Sequence, residues 1–168
     1  MEAPFSIIEK EGFYAIDNKN SSIAVILYTL DENDLLDKIG AVTEKNPHFP
    51  GGFYTGMVMG TVEADDTSLL ARAKAEAMEE AGYDITENTR WDFLGEIYAS
   101  KLFPDSINCF CADVTGLASI APRGDGSSQE KGISFKLLTL KEVQKLPDSI
   151  FQACFFKLFS KLYKTQLV

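Results

Sequence analysis

A run at residues 22–29 reads S-I-A-V-I-L-Y-T and is almost continuously apolar. Its β-branched residues favour a strand, and the lack of polar alternation indicates that both faces of this strand are buried. Residues 107–114, I-N-C-F-C-A-D-V, show the same pattern. A sheet that contains such strands needs a covering layer on each face. The sequence therefore predicts an α/β (α+β) fold in which a central mixed sheet lies between helices.

The remaining elements follow from composition and periodicity. Further strands are predicted at residues 12–16, 53–58, 91–98 and 132–140, and helices at residues 67–81 and 148–164. In the last helix the aromatic residues recur at helical spacing, which favours core packing over a ligand pocket. Because the 168 residues show no repeat and no break in composition, one domain spanning residues 1–168 is expected.

The charge and the cysteines limit the classes of function. A formal net charge of −9 argues against a nucleic-acid partner and favours divalent cations, which bind surplus carboxylates. No apolar run is long enough to span a membrane, and the N-terminal segment lacks the basic residues of a signal peptide. The odd set Cys109, Cys111 and Cys154 argues against a disulfide framework. A reduced, cytoplasmic protein is expected, with Cys109 and Cys111 on the same side of a strand in the core.

The helix at residues 67–81 carries an unusual row of acids. At about 100° per residue, its small apolar residues share one side, and Arg72, Glu76, Glu79 and Glu80 share the other. This acidic side is expected to face outward, toward the space that the neighbouring loops enclose. Gly82 is placed to end the helix in a left-handed conformation. The row permits two interpretations, a solvated face with an Arg72–Glu76 pair or a site where the three carboxylates converge on a hard cation.

The residues before this helix favour the second interpretation. Residues 52–67 read G-F-Y-T-G-M-V-M-G-T-V-E-A-D-D-T, a glycine-rich strand followed by an acidic loop. Strand, loop and helix together resemble the Nudix box, G-x5-E-x7-R-E-U-x-E-E-x-G-U, in which U is aliphatic. The matching positions are Gly60, Asp66 in place of the first glutamate, Glu76, Ala77, Glu79, Glu80 and Gly82. One extra residue follows Asp66, and Ala75 replaces the arginine of the box.

The resemblance implies a Nudix-type α/β/α sandwich and a hydrolase nearest to the ADP-ribose and nucleoside-diphosphate-sugar pyrophosphatases. It implies that Mg²⁺ or Mn²⁺ is held by Glu76, Glu79 and Glu80, with the carbonyl of Met59. Arg72, one turn before Glu76, is expected to orient the glutamates in place of the missing arginine. Glu79 and Glu130 are the candidate catalytic residues. The candidate substrate-binding residues are Gly60, Phe53, Tyr54, Lys101, Phe103 and Arg123, although packing or plain surface charge explains these side chains equally well.

Two other functions are compatible with the same pattern. One is a hydrolase of free or modified (d)NTPs, and the other is a Nudix-fold module that binds a nucleotide without cleaving it. Ala75 favours the module, whereas the intact Glu76, Glu79 and Glu80 favour an enzyme. The expected partner is a nucleotide-containing small molecule, with no membrane. A homodimer is compatible with the resemblance, because many relatives dimerise.

Overall fold

The computed structural model describes residues 6–17, 21–123 and 132–163. The strands are β1 (Ser6–Lys10), β2 (Phe13–Asp17), β3 (Ser22–Leu30), β4 (Leu36–Lys45), β5 (Phe53–Gly56), β6 (Val58–Thr61), β7 (Trp91–Ser100), β8 (Phe103–Asp113) and β9 (Ser134–Thr139). The helices are α1 (Leu69–Ala81), α2 (Leu140–Val143) and α3 (Ser149–Leu162). The single domain expected over residues 1–168 stays a prediction.

Strands β3 and β8 form the centre of a mixed sheet, as their apolar sequences predict. They run parallel, with Ser22 opposite Ile107 and Tyr28 opposite Asp113. The other pairings in this sheet are antiparallel, and its strand order is β5-β4-β3-β8-β7, with β6 beside β3 and β9 beside β4. Strands β1 and β2 form a separate antiparallel hairpin. The predicted mixed sheet is therefore confirmed.

The two faces of the sheet are covered by different helices. Ala73, Ala77 and Ala81 of α1 pack on one face, where their small side chains allow the helix to lie close to the strands. Phe151 and Leu158 of α3 pack on the other face. This arrangement confirms the α/β/α sandwich. No helix in the described part of the chain is long and apolar enough to cross a membrane.

The sheet forks on one side of β3. Residues 28–30 of β3 pair with β4, but residues 22–25 pair with β6. Beyond the fork, residues 42–45 of β4 pair with β5 instead of β3. The single strand predicted at residues 53–58 is thus two strands, β5 and β6, which belong to different branches. This split leaves an opening between the branches.

Helix α3 differs in one respect from the sequence prediction. It begins after Asp148, whose side chain accepts a hydrogen bond from the backbone N–H of Phe151, and Phe151 is fully buried. Phe156, in contrast, is 67% exposed, and Phe159 is also exposed. Core packing therefore explains only some of the aromatic residues in this helix, because two of them lie on its outer side.

Helix α1 begins at Leu69, two residues after the predicted start at residue 67. Ser68 is the N-cap, and its Oγ accepts a hydrogen bond of 3.1 Å from the N–H of Ala71. Asp66 instead closes the preceding turn by accepting a hydrogen bond from the N–H of Glu63. Gly82 ends the helix at φ 72°, as predicted, and its N–H donates to the carbonyl of Met78.

The position of Gly82 generates a stability prediction. A Cβ at residue 82 would lie 1.9 Å from the carbonyl oxygen of Ile120, whereas Gly116 has the same φ of 72° and open space around it. Gly116→Ala should cost about 1–2 kcal/mol of unfolding free energy, from backbone strain alone. Gly82→Ala should cost about 2 kcal/mol more, because the Cβ also forces the backbone at Ile120 to move. Urea denaturation of both variants measures the difference, and equal losses would contradict this packing.

Candidate functional site

The acidic side of α1 packs against strand β6 rather than facing solvent. A Cβ built on Gly60 would lie only 1.6 Å from Oε1 of Glu76, so the carboxylate occupies the space of a side chain at residue 60. Glu76 is 3% exposed and Glu80 is 7% exposed. The expectation of an outward-facing acidic side is therefore wrong for these two residues. Gly60 is required here because only a glycine allows the carboxylate to approach the strand.

Arg72 holds two of the three glutamates. Its Nε donates a hydrogen bond of 2.9 Å to Oε1 of Glu76, and a second guanidinium nitrogen bonds to the same oxygen. The same nitrogen donates to Oε2 of Glu79 at 3.2 Å. Burial disfavours the charge on Arg72, but the hydrogen bond and charge of Glu76, followed by Glu79, raise the pKa of the guanidinium above its ordinary value. Arg72 thus contacts Glu76 and Glu79 from the same helix face, and its orienting role stays a prediction.

Glu80 contacts strand β6 at the residue before Gly60. Its Oε2 accepts a hydrogen bond of 3.0 Å from the backbone N–H of Met59 in β6. Close to the C-terminal end of α1, the backbone N–H of Arg123 donates to the carbonyl of Glu79 at 3.1 Å. The backbone of the segment at Arg123 therefore lies against α1, while the Arg123 side chain is exposed.

A narrow groove opens at the fork of the sheet beside Glu80. It has a volume of about 150 Å³ and is lined by Val42, Glu44, Tyr54, Gly56, Met57, Met59 and Glu80. Two carboxylates, Glu44 from β4 and Glu80 from α1, thus face a largely apolar channel from different walls. Such a channel holds a charged ligand only if the ligand's charges are matched within the groove.

A larger cleft of about 670 Å³ adjoins this groove. It is lined by Phe49, Pro50, Phe53, Tyr54, Thr55, Leu146, Pro147, Asp148 and Ser149. Tyr54 lines both cavities, and its ring lies so close over Gly56 that a Cβ there would be 2.7 Å from it. The Tyr54 hydroxyl donates a hydrogen bond to Oδ2 of Asp148. Burial, and then the hydrogen bond and charge of Asp148, raise the pKa of Tyr54, so its hydroxyl stays protonated as a donor.

The structure brings only some of the sequence-predicted residues to these cavities. Phe53, Tyr54 and Met59 line them, and Gly60 lies directly beside Glu76. Lys101 and Phe103 lie instead at the turn between β7 and β8 and line neither cavity. Glu130 falls outside the described residues.

Sequence reasoning missed Glu44 and Asp148 as residues of these cavities. The whole of β4 was missed, because its sequence, L-D-K-I-G-A-V-T-E-K, mixes charged residues and a glycine with short apolar pairs. The available signal was the two-residue spacing of Val42 and Glu44, which places both side chains on the same side of a strand. Asp148 was visible only as the start of a helix, and its contact with Tyr54 depends on the tertiary fold.

The oxygen donors at the groove suit a hard divalent cation. Among residues 6–17, 21–123 and 132–163, no three His, Cys, Asp or Glu side chains are grouped so that they could hold a metal ion. Mg²⁺, however, usually binds one or two carboxylates and keeps several waters. Glu80 and Met59 line the groove, and Glu79 precedes Glu80 on α1, so two carboxylates and one backbone carbonyl supply oxygens of the type that Mg²⁺ or Mn²⁺ binds.

Comparison with solved structures identifies the fold. No family model and no curated protein matches the chain. A crystal structure of an ADP compounds hydrolase superposes with a TM-score of 0.63 at 15% identity, covering 98% of this chain and 87% of the other. The Nudix domain of Shewanella oneidensis NrtR, complexed with ADP-ribose, gives 0.60 at 14% identity, covering 84% and 87%. A MutT structure, from a study of the Aliivibrio salmonicida and Vibrio cholerae proteins, gives 0.57 at 15% identity, covering 84% and 98%.

The Arg72–Glu76 pair generates a prediction about stability. Arg72→Met should lower the unfolding free energy by about 3 kcal/mol or more, because it leaves the buried Glu76 charge without its guanidinium. Lys161→Met, which removes the more exposed pair with Asp92, should cost less than about 1 kcal/mol. Adding Glu76→Gln to Arg72→Met should restore part of the loss. Urea denaturation at neutral pH measures these differences, and equal costs for Arg72→Met and Lys161→Met would contradict the buried pair.

Proposed function

We propose that this chain, which has the Nudix fold, hydrolyses the pyrophosphate bond of a nucleoside diphosphate linked to another moiety, of the ADP-ribose or sugar-nucleotide type, with Mg²⁺ or Mn²⁺. The observation that carries the proposal is the contact of Glu80 with Met59, both of which line the groove, together with the packing of Glu76 against Gly60 in the same strand. This contact places carboxylate oxygens, which are hard donors, beside a groove of about 150 Å³. The ADP compounds hydrolase and the ADP-ribose-bound Nudix domain support the substrate class.

Each group at the groove has a proposed role. Glu79 and Glu80, with the carbonyl of Met59, would hold the cation, which when bound neutralises the pyrophosphate and stabilises charge as the P–O bond breaks. Glu76, which already accepts hydrogen bonds from Arg72, is proposed as a further ligand from the resemblance alone. Arg72 keeps Glu76 and Glu79 in place through its hydrogen bonds. Glu79 and Glu130 are the proposed acceptors of the proton from the attacking water, and Glu130 is proposed from the resemblance alone.

The adjoining cleft is proposed to bind the part of the substrate that carries no phosphate. Phe49, Phe53 and Tyr54 offer aromatic surfaces for a base or sugar face. Asp148 offers carboxylate oxygens, one of which already accepts from Tyr54. Lys101, Phe103 and Arg123 remain proposed contacts for phosphate, ribose or base. The three cysteines are free, which supports a reducing, cytoplasmic location.

Two alternatives remain specific enough to test. A binding module without catalysis is favoured by Ala75 and by the engagement of Glu76 with Arg72. A (d)NTP hydrolase is favoured by the likeness to MutT. ADP-ribose, UDP-glucose, NADH and a dNTP panel, each incubated with Mg²⁺ and with Mn²⁺, separate the three functions. Two monophosphates as products support the proposal, and release of pyrophosphate supports the (d)NTP hydrolase. Tight nucleotide binding without any product supports the module.

Removing the charge of Glu80 tests whether the groove is the site of catalysis. Glu80→Gln should lower kcat by about 10³-fold, because the amide keeps the hydrogen bond from Met59 but loses the charge. Glu63→Gln, in the exposed loop before α1, should leave kcat within about 2-fold of the wild type. Initial rates with the preferred substrate, together with matching circular dichroism spectra, measure the effect. Wild-type turnover by a folded Glu80→Gln variant would contradict the assignment.

Glu44 provides a separate prediction about the opposite wall of the groove. Glu44→Gln should lower kcat by about 10-fold or more, because a carboxylate near the reacting phosphates orders water and accepts its hydrogen bonds. Glu32→Gln, in an exposed turn far from the groove, is the matched control. Steady-state kinetics of both variants decide the point. A Glu44→Gln variant that differs from the wild type only in KM would assign Glu44 to substrate binding instead.

A further inference from the structure

Two of the three cysteines touch each other inside the core. The Sγ atoms of Cys109 in β8 and Cys154 in α3 are 2.9 Å apart, with the Cys154 thiol as the hydrogen-bond donor. Both residues are fully buried and both thiols are free. The contact joins a central strand to the helix that covers it. Cys111 is also buried in this core, two residues along β8, and its sulfur makes no corresponding contact within the described part of the chain.

The surroundings of the three thiols are different. The hydrogen bond from Cys154 lowers the pKa of the Cys109 thiol against the opposing effect of burial, and the ammonium group of Lys157 lowers it further. The same hydrogen bond, together with burial, raises the pKa of Cys154. Burial raises the pKa of Cys111 to about 12. Cys109 is therefore the more nucleophilic sulfur of the touching pair, and Cys111 is an internal control of similar burial.

We propose that Cys109 and Cys154 form an oxidation site, at which hydrogen peroxide converts the two touching thiols into a disulfide that joins β8 to α3. The proposal rests on the contact between the two sulfur atoms and is independent of the proposed hydrolase activity. An S–S bond of about 2.05 Å requires an approach of about 0.9 Å from the observed separation, which a small shift of α3 supplies.

The reaction balances with peroxide as the sole oxidant. The Cys109 thiolate attacks one oxygen of the peroxide, the O–O bond breaks, and Cys109 becomes a sulfenic acid. The hydroxide that leaves takes up the proton that Cys109 released and becomes the first water. The Cys154 sulfur then attacks the sulfenic sulfur, the S–OH bond breaks, and the hydroxyl leaves as water with the Cys154 proton. In total, two thiols and one peroxide give one disulfide and two waters. A dithiol reductant reverses the change by thiol–disulfide exchange.

Burial controls how fast the site reacts and what the bond does. Because both sulfur atoms are shielded, peroxide reaches them during transient openings of α3, so the reaction is slower than that of an exposed thiol. The disulfide joins two residues that are 45 positions apart in the sequence, so it restricts the conformations of the unfolded chain. Oxidation is expected to raise the melting temperature by about 5 °C or more.

The test compares the wild type with Cys111→Ala, Cys109→Ala and Cys154→Ala. Each protein is treated with hydrogen peroxide, denatured, alkylated with N-ethylmaleimide and mapped by peptide mass spectrometry. Glutathione is treated in parallel as a positive control for oxidation. The wild type and Cys111→Ala should lose alkylation at Cys109 and Cys154 together and yield one cross-linked peptide that dithiothreitol cleaves. Cys154→Ala should give no internal cross-link and should accumulate higher oxides at Cys109.

Other results would overturn the proposal. A cross-link that includes Cys111, or one formed only between chains, would show that the observed contact does not direct the oxidation. Complete alkylation of all three thiols in wild-type protein, under conditions that fully oxidise glutathione, would show that the pair is inert. Cys109→Ala and Cys154→Ala should each abolish the cross-link within the chain. If one variant fails to fold, the other still tests the proposal.

Discussion

The buried contact of Arg72 with Glu76 against Gly60 is the constraint on which the site depends. A carboxylate that is 3% exposed is unfavourable unless it is paired, and the guanidinium supplies that pairing from one turn earlier on the same helix. The absence of a side chain at Gly60 lets Glu76 reach the strand. Once this contact fixes the rotation of α1, Glu80 falls beside the N–H of Met59, and Glu79 accepts a hydrogen bond from the same guanidinium. The acidic row is therefore positioned by the helix and the strand together.

The fork of the sheet explains why charge and aromatic surface lie side by side. Strand β3 changes its neighbour from β4 to β6, and the opening between these branches becomes the groove beside Glu80. Tyr54 forms the wall between this groove and the larger aromatic cleft, since its ring covers Gly56 and its hydroxyl reaches Asp148. The two adjoining cavities thus present carboxylate side chains on one side of Tyr54 and mainly aromatic and apolar surface on the other.

The sequence predicted those features that depend on local pattern. The buried strands β3 and β8, the helix α1 with its end at Gly82, and the layers on both faces of the sheet follow from apolar runs and helical spacing. The outward orientation of Glu76 and Glu80 was wrong, because helical spacing alone cannot show that α1 packs its acidic side against the preceding strand, where Gly60 leaves room for a carboxylate. Glu44 and Asp148 were missed for a related reason, since their places in the cavities depend on strand pairing and on the packing of α3.

The central claim is that the acidic row of α1 gathers a divalent cation beside β6. Titration with Mn²⁺, followed by paramagnetic broadening of assigned backbone amide signals, tests it directly because broadening falls steeply with distance from the ion. The account predicts that substoichiometric Mn²⁺ broadens the amide signals of Met59, Gly60, Glu79 and Glu80 first and leaves those of α3 around Cys154 sharp. Broadening that begins at exposed acids elsewhere, or that affects all surface amides equally, would contradict it.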